Sequence, residues 1–111
     1  YCVVVNFFGP NTLELFNFCE KKFTLPSVLQ MWIQMLERFE VLHDEGYLHR
    51  DLRPEVMRIG EGKLASVVYL ADFSNVKRYV CPNTGAHLKH VPDCGVHGNR
   101  RYLSLNAHVG N

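Results

Sequence analysis

Apolar residues recur at spacings of three and four through Leu25, Val28, Leu29, Trp32, Met35, Leu36, Phe39 and Leu42. That periodicity predicts an amphipathic helix of roughly five turns with a wide apolar face. Thr24 starts it, and Pro26 is tolerated in its first turn because the amide it lacks has no partner there. Gly46 supplies the C-terminal stop, and His43 suits the negative pole of the helix dipole. The tryptophan and methionines of this stretch read as core. Upstream, Cys2-Val3-Val4-Val5 is a β-branched run that predicts a short buried strand, broken by Gly9-Pro10. Asn11 can cap a short helix, with Glu14 completing a variant capping box. Downstream, Val56-Met57-Arg58-Ile59 and Val67-Val68-Tyr69-Leu70 flank Gly60-Glu61-Gly62 and predict an antiparallel hairpin. From Ser74 to about Ser104 the pattern fades into a loop-like stretch dotted with Gly, Pro and Asn.

Composition narrows the class without naming a function. With 111 residues, 47% of them hydrophobic, the chain can form one small domain with a core. A formal net charge of +1 gives no reason to expect a nucleic-acid or membrane partner. No apolar run is long enough to span a bilayer. No initiator Met or signal peptide is seen, so the expected setting is cytoplasmic or nuclear. In such a reducing compartment the irregularly spaced Cys2, Cys19, Cys81 and Cys94 are expected as free thiols.

The chemistry-bearing stretch is Tyr47-Leu48-His49-Arg50-Asp51-Leu52-Arg53-Pro54-Glu55-Val56, followed a hairpin later by Asp72-Phe73-Ser74. His-Arg-Asp before a Pro and an apolar turn resembles the catalytic loop of protein kinases. Asp-Phe-Ser resembles their metal-binding Asp-Phe-Gly with its Gly replaced. Phosphoryl transfer needs one carboxylate at the substrate hydroxyl and another holding Mg²⁺ against the phosphates, on adjacent loops. The bland alternatives are a turn carboxylate for Asp51 and a strand-end acid for Asp72. Further resemblances narrow the family. Leu15-Phe16-Asn17-Phe18-Cys19 after Gly9-Pro10 is similar to the first helix after the hinge in the casein kinase 1 superfamily. Arg101-Tyr102-Leu103-Ser104-Leu105-Asn106-Ala107-His108 resembles that superfamily's Arg-Tyr-Ala-Ser-x-Asn-x-His. The Asn-Ala-His ending, with Phe23-Thr24-Leu25, is similar to the tau-tubulin kinase branch.

The resemblance runs from Tyr1 to about His108 and covers only part of a kinase domain. It implies an α+β, protein-kinase-like fold over residues 1–111, truncated. A hinge strand would be followed by the first helices of the C-lobe and a catalytic-loop β-hairpin, without the N-lobe or the later C-lobe helices. Val5 would be the gatekeeper, and Asn6, Phe7 and Phe8 the hinge, where Asn6 and Phe8 contact adenine through backbone atoms. Asn11 and Glu14 would stand at the ribose edge, although plain helix capping explains both equally. Asp51 would orient a Ser/Thr hydroxyl, Arg53 would meet the transferred phosphate, Asp72 would ligate Mg²⁺, and Arg101 would form part of an anion site reading the substrate. The cofactors implied are ATP and Mg²⁺.

Several positions depart from the family pattern. Arg53 replaces a Lys, which keeps the charge and changes the donor geometry. Val56 replaces the Asn that ligates a second Mg²⁺ and has no oxygen to offer. Ser74 adds a Cβ where the family has Gly. Arg58 puts a guanidinium beneath the adenine ring, where it must leave the apolar floor or stack on the base. Asn99 replaces the Thr after Gly98. ATP binding is therefore in doubt. Two functions stay open: an impaired Ser/Thr kinase segment acting on a protein substrate, or a pseudokinase that scaffolds a protein partner. A third reading, a zinc site from Cys81, His87, His90, Cys94 and His97, has suitable ligand types but a spacing that matches no common finger.

Overall fold

The computed structural model describes residues 2, 4, 5, 7–89 and 95–109. It is a mixed α+β chain whose described residues form three α-helices and two small antiparallel sheets. The chain divides into two compact units, residues 1–38 with 54–71 and residues 39–53 with 72–111. No helix among the described residues is long and apolar enough to cross a membrane.

In the first unit, Asn11 caps helix α1 (Thr12–Phe18) with a complete capping box. Its Oδ1 accepts from the Glu14 amide, and the Glu14 carboxylate accepts from the Asn11 amide, both at 2.9 Å. Two otherwise unpartnered helix-start amides are thereby satisfied. Helix α2 (Leu25–Asp44) follows the apolar periodicity closely. Thr24 precedes it, and the Thr24 hydroxyl accepts from the Ser27 amide at 3.3 Å. Its end comes where expected: Gly46, at φ +80°, donates its amide to His43 O.

The hairpin forms with a shorter first strand and a longer connection than the pattern predicts. Strands β2 (Met57–Ile59) and β3 (Val68–Leu70) pair Met57 with Leu70 and Ile59 with Val68. Val56 lies outside β2, in a 3-10 turn spanning Pro54–Val56. The connection includes a further 3-10 turn, Gly62–Leu64. Gly60 is required there, since a Cβ would stand 2.3 Å from Leu64 O. Helix α2 holds β3 through polar side chains. The Gln34 amide donates to Ser66 O and accepts from the Val68 amide, both at 3.0 Å, and Arg38 Nε donates to Val68 O at 3.0 Å. Among the described residues of this unit, Met35, Val56 and Val68 are the buried apolar side chains. Beside them a cavity of about 200 Å³ opens among Phe16, Phe23, Val28, Met31, Trp32 and Met57.

The described residues of the expected hinge strand form no strand. Cys2, Val4, Val5 and Phe7 are unpaired and exposed, Val4 at 97% and Phe7 at 83%. A β-branched run becomes a strand only where another strand completes its ladder, and none is paired with it among the described residues. The Gly9 amide donates to Ile59 O at 2.8 Å, while the Ile59 amide donates to Pro10 O at 3.0 Å.

In the second unit, strand β1 (Tyr47–Leu48) pairs with β4 (Lys77–Arg78), in the register Tyr47 to Arg78 and Leu48 to Lys77. Residues 74–89 are therefore more regular than their composition suggests. The segment opens with a 3-10 turn, Phe73–Asn75, passes through β4, and turns back at a Val80–His87 bridge. Arg78 closes the sheet locally by lying over the Tyr47 ring, 4.5 Å from its centroid, and donating to the Tyr47 hydroxyl. Ser104 caps a last short helix, α3 (Leu105–His108). Of the expected free thiols, Cys2, Cys19 and Cys81 are free, and Cys94 lies outside the described residues.

Candidate functional site

The polar cluster of the second unit is built from β1 outward. The chain leaves β1 through His49, which is 3% exposed. The His49 ring lies between Phe39 of α2 and Phe73, at centroid distances of 6.5 and 5.7 Å, and its Nδ1 accepts from the Asp51 amide at 3.4 Å. Arg50 takes a left-handed backbone conformation, φ +63°, and its Nε donates to Asn75 O at 2.7 Å. Asp72 is left-handed as well, at φ +60°. Such conformations cost non-glycine residues on the order of 1–2 kcal/mol, so the surrounding bonds must hold them in place. In this way the chain aims Asp51 and Asp72 at one guanidinium.

That guanidinium is Arg53. Its Nε donates to Asp51 Oδ2 at 3.2 Å and its Nη2 to Asp72 Oδ2 at 2.8 Å. The two carboxylates that the sequence singles out therefore face the same group. Asp51, 8% exposed, also accepts from the Asn99 amide on Oδ1 at 2.9 Å and from Asn75 Nδ2 on Oδ2 at 3.4 Å. A carboxylate offers about four acceptor positions. These three bonds leave about one acceptor position, on Oδ1, unused. Gly98 makes the Asn99 contact possible. A Cβ at residue 98 would lie 2.5 Å from Arg50 O and 3.3 Å from Asp51 Oδ1, and the backbone there has φ +91°. Sequence reasoning noted Asn99 only as a replacement for Thr and missed Asn75, whose contact depends on the turn after Asp72.

Asp72 is more open, with a side chain 39% exposed. Its Oδ1 accepts from the Ser74 hydroxyl at 2.6 Å and from the Ser74 amide at 3.4 Å. The Ser74 hydroxyl bond foremost, opposed by slight burial and aided by the Ser74 amide and Arg53, holds the Asp72 carboxyl below its usual range. Both oxygens are thus engaged from within the chain.

These residues do not fit a divalent cation well. Asp72 keeps one lone pair on Oδ2, but a cation there would sit beside the Arg53 guanidinium, which repels it. Val56 is fully buried and has no ligand atom. No group of three or more His, Cys, Asp or Glu side chains that could hold a metal occurs among the described residues. The zinc reading rests partly on residues that are not described. His90 and Cys94 lie outside the described residues, and His87 packs on Tyr79, its Nδ1 2.6 Å from Leu88 O.

Asn6 lies outside the described residues. Phe8 packs on Tyr69 at a centroid distance of 5.1 Å. Asn11 and Glu14 spend their side chains on each other in the capping box. Arg58 directs Nη1 to Gly9 O at 3.3 Å, which anchors its charged head to the backbone. Arg101 is exposed, and its amide donates to Asn99 Oδ1 at 3.0 Å. The chain matches no protein-family model.

Proposed function

We propose that the chain is a segment of a serine/threonine-protein-kinase-like domain, of the casein kinase 1 superfamily and its tau-tubulin kinase-like branch, with impaired transfer of phosphate from ATP to protein hydroxyls. One observation carries this reading. The Asp51 carboxylate is held by Asn99, Asn75 and Arg53 with one acceptor position left over, and Arg53 joins it to Asp72. A general base at a substrate hydroxyl needs a fixed carboxylate with a vacant lone pair. A phosphate leaving ATP needs a nearby cation, which Arg53 would supply once released from Asp72. The test is phosphorylation of acidic Ser/Thr peptides by the full-length natural protein with Mg²⁺ and radiolabelled ATP. Slow labelling that disappears in Asp51→Asn supports the reading; labelling that survives the substitution refutes it.

A second reading, a pseudokinase that binds a protein partner as a scaffold, is favoured by the engagement of both Asp72 oxygens and by the buried Val56. No labelling at all, with Asp51→Asn protein folded like the wild type, would decide for it.

A further inference from the structure

We infer that Arg53 and Ser74 stand in the place of a divalent cation: one of the two negative charges of the Asp51–Asp72 pair is compensated and Asp72 is bonded on both oxygens from inside the chain, so that the pair takes up no metal. Two carboxylates directed to one point carry two negative charges that something must compensate. Here one of the two charges is compensated by a guanidinium shared between them, 3.2 Å from Asp51 Oδ2 and 2.8 Å from Asp72 Oδ2. A planar, permanently charged fork suits this role, since it can serve two acceptors from fixed positions. A lysine in its place would bring a single point charge on a flexible stem.

Ser74 completes the replacement on the other oxygen of Asp72. Its hydroxyl at 2.6 Å and its amide at 3.4 Å both point at Oδ1. A glycine at 74 would keep the amide and lose the hydroxyl. Mg²⁺ demands near-octahedral oxygen ligation and gives up water reluctantly, so it competes poorly for a carboxylate already bonded on both oxygens. The inference deepens the kinase-like reading of the same site. Its test uses no nucleotide and no substrate, so it stands or falls apart from phosphoryl transfer.

The experiment is a Mn²⁺ titration followed by electron paramagnetic resonance, on the wild type, Asp72→Asn, Arg53→Gln/Ser74→Gly, and that double variant with Asp72→Asn added. The wild type should show no saturable site that depends on Asp72. The double variant should gain one, at least about tenfold tighter, and the added Asp72→Asn should abolish it. Mn²⁺ binding by the wild type that Asp72→Asn removes would overturn the inference. So would a folded double variant with no gain in affinity. If the double variant fails to fold, the wild type decides through nuclear magnetic resonance. An Arg53 Nε–H signal that exchanges slowly and ignores Mg²⁺ upholds the inference, and Mn²⁺ broadening confined to Asp72 and Ser74 overturns it.

Discussion

The two compact units have different interiors. Residues 1–38 with 54–71 enclose Met35, Val56 and Val68, all at or below 2% exposure. Residues 39–53 with 72–111 bury no large apolar side chain to that degree among those described; the buried side chains there are His49 and Asp51. The first unit is held by packing, reinforced by the Gln34 and Arg38 bonds to β3. The second is held by directional bonds converging on Asp51 and Asp72. Packing depends on volume and is little affected by charge screening. A charged hydrogen-bond cluster depends on geometry and on salt, and removing one partner leaves the other desolvated without compensation. The first unit also leaves much of the α2 apolar face in water, with Leu29, Ile33 and Leu36 all more than half exposed. Its packing is therefore confined to a few contacts.

If that contrast is right, the largest effect of a single substitution belongs to the first unit. Met35→Ala should lower stability by about 2–5 kcal/mol, read as a fall in the urea midpoint followed by Trp32 fluorescence. A shift worth less than about 1 kcal/mol would mean that the core is not organised around Met35. Next comes the charge cluster. Asp51→Ala should cost about 1.5–3 kcal/mol through its lost charged hydrogen bonds, and Asp51→Asn less, because an amide oxygen can still accept from Asn99. Adding salt should narrow the gap between wild type and Asp51→Ala and leave the Met35→Ala loss unchanged. Equal salt responses would erase the distinction between the units.

Two glycines with left-handed backbones sharpen the comparison at a smaller scale. Gly98→Ala meets Arg50 O and should cost roughly 1–3 kcal/mol. Gly62→Ala, at φ +56° with nothing within 4 Å, should cost about 1 kcal/mol from backbone strain alone. Thermal melts of the two variants measure the difference, and a ranking with Gly62→Ala worse would contradict the tight approach at residue 98.

The smallest effect is a pH dependence. The Asp72 carboxyl is held below its usual value, 3.8 in an unperturbed chain. A depressed folded-state pKa adds stability that is present above the unfolded value and lost as pH falls through the folded one. Asp72 should thus favour the folded state at neutral pH and cease to do so in strong acid. In Ser74→Ala its carbon-detected titration midpoint should move up towards 3.8; no movement would remove the Ser74 hydroxyl as the main cause.

How much of this the residues announce depends on the range of the forces involved. Helix α2 is legible because its cause is local: apolar spacing of three and four, a Thr at one end and a Gly at the other. The Asn11–Glu14 capping box is legible for the same reason, being three residues long. Both carboxylates of the site are visible in His49-Arg50-Asp51 and Asp72-Phe73-Ser74, where the residue types themselves suggest chemistry. What the chain alone could not reveal are pairings between distant segments. Val4 and Val5 have strand propensity, yet a strand exists only with a partner, and propensity does not say whether one arrives. The pairing of β1 with β4 joins segments about thirty residues apart, and neither has a pattern long enough to signal it. The Asn99 amide reaches Asp51 only because Gly98 lets the backbone pass Arg50 O. Most consequentially, the sequence offers Arg53 as a phosphate contact. Only the folded chain, by bringing Asp72 within 2.8 Å of it, gives that guanidinium two carboxylates of its own to bridge. A charge is drawn to whichever opposite charge the fold brings closest, and that is a property of tertiary distance rather than of residue order.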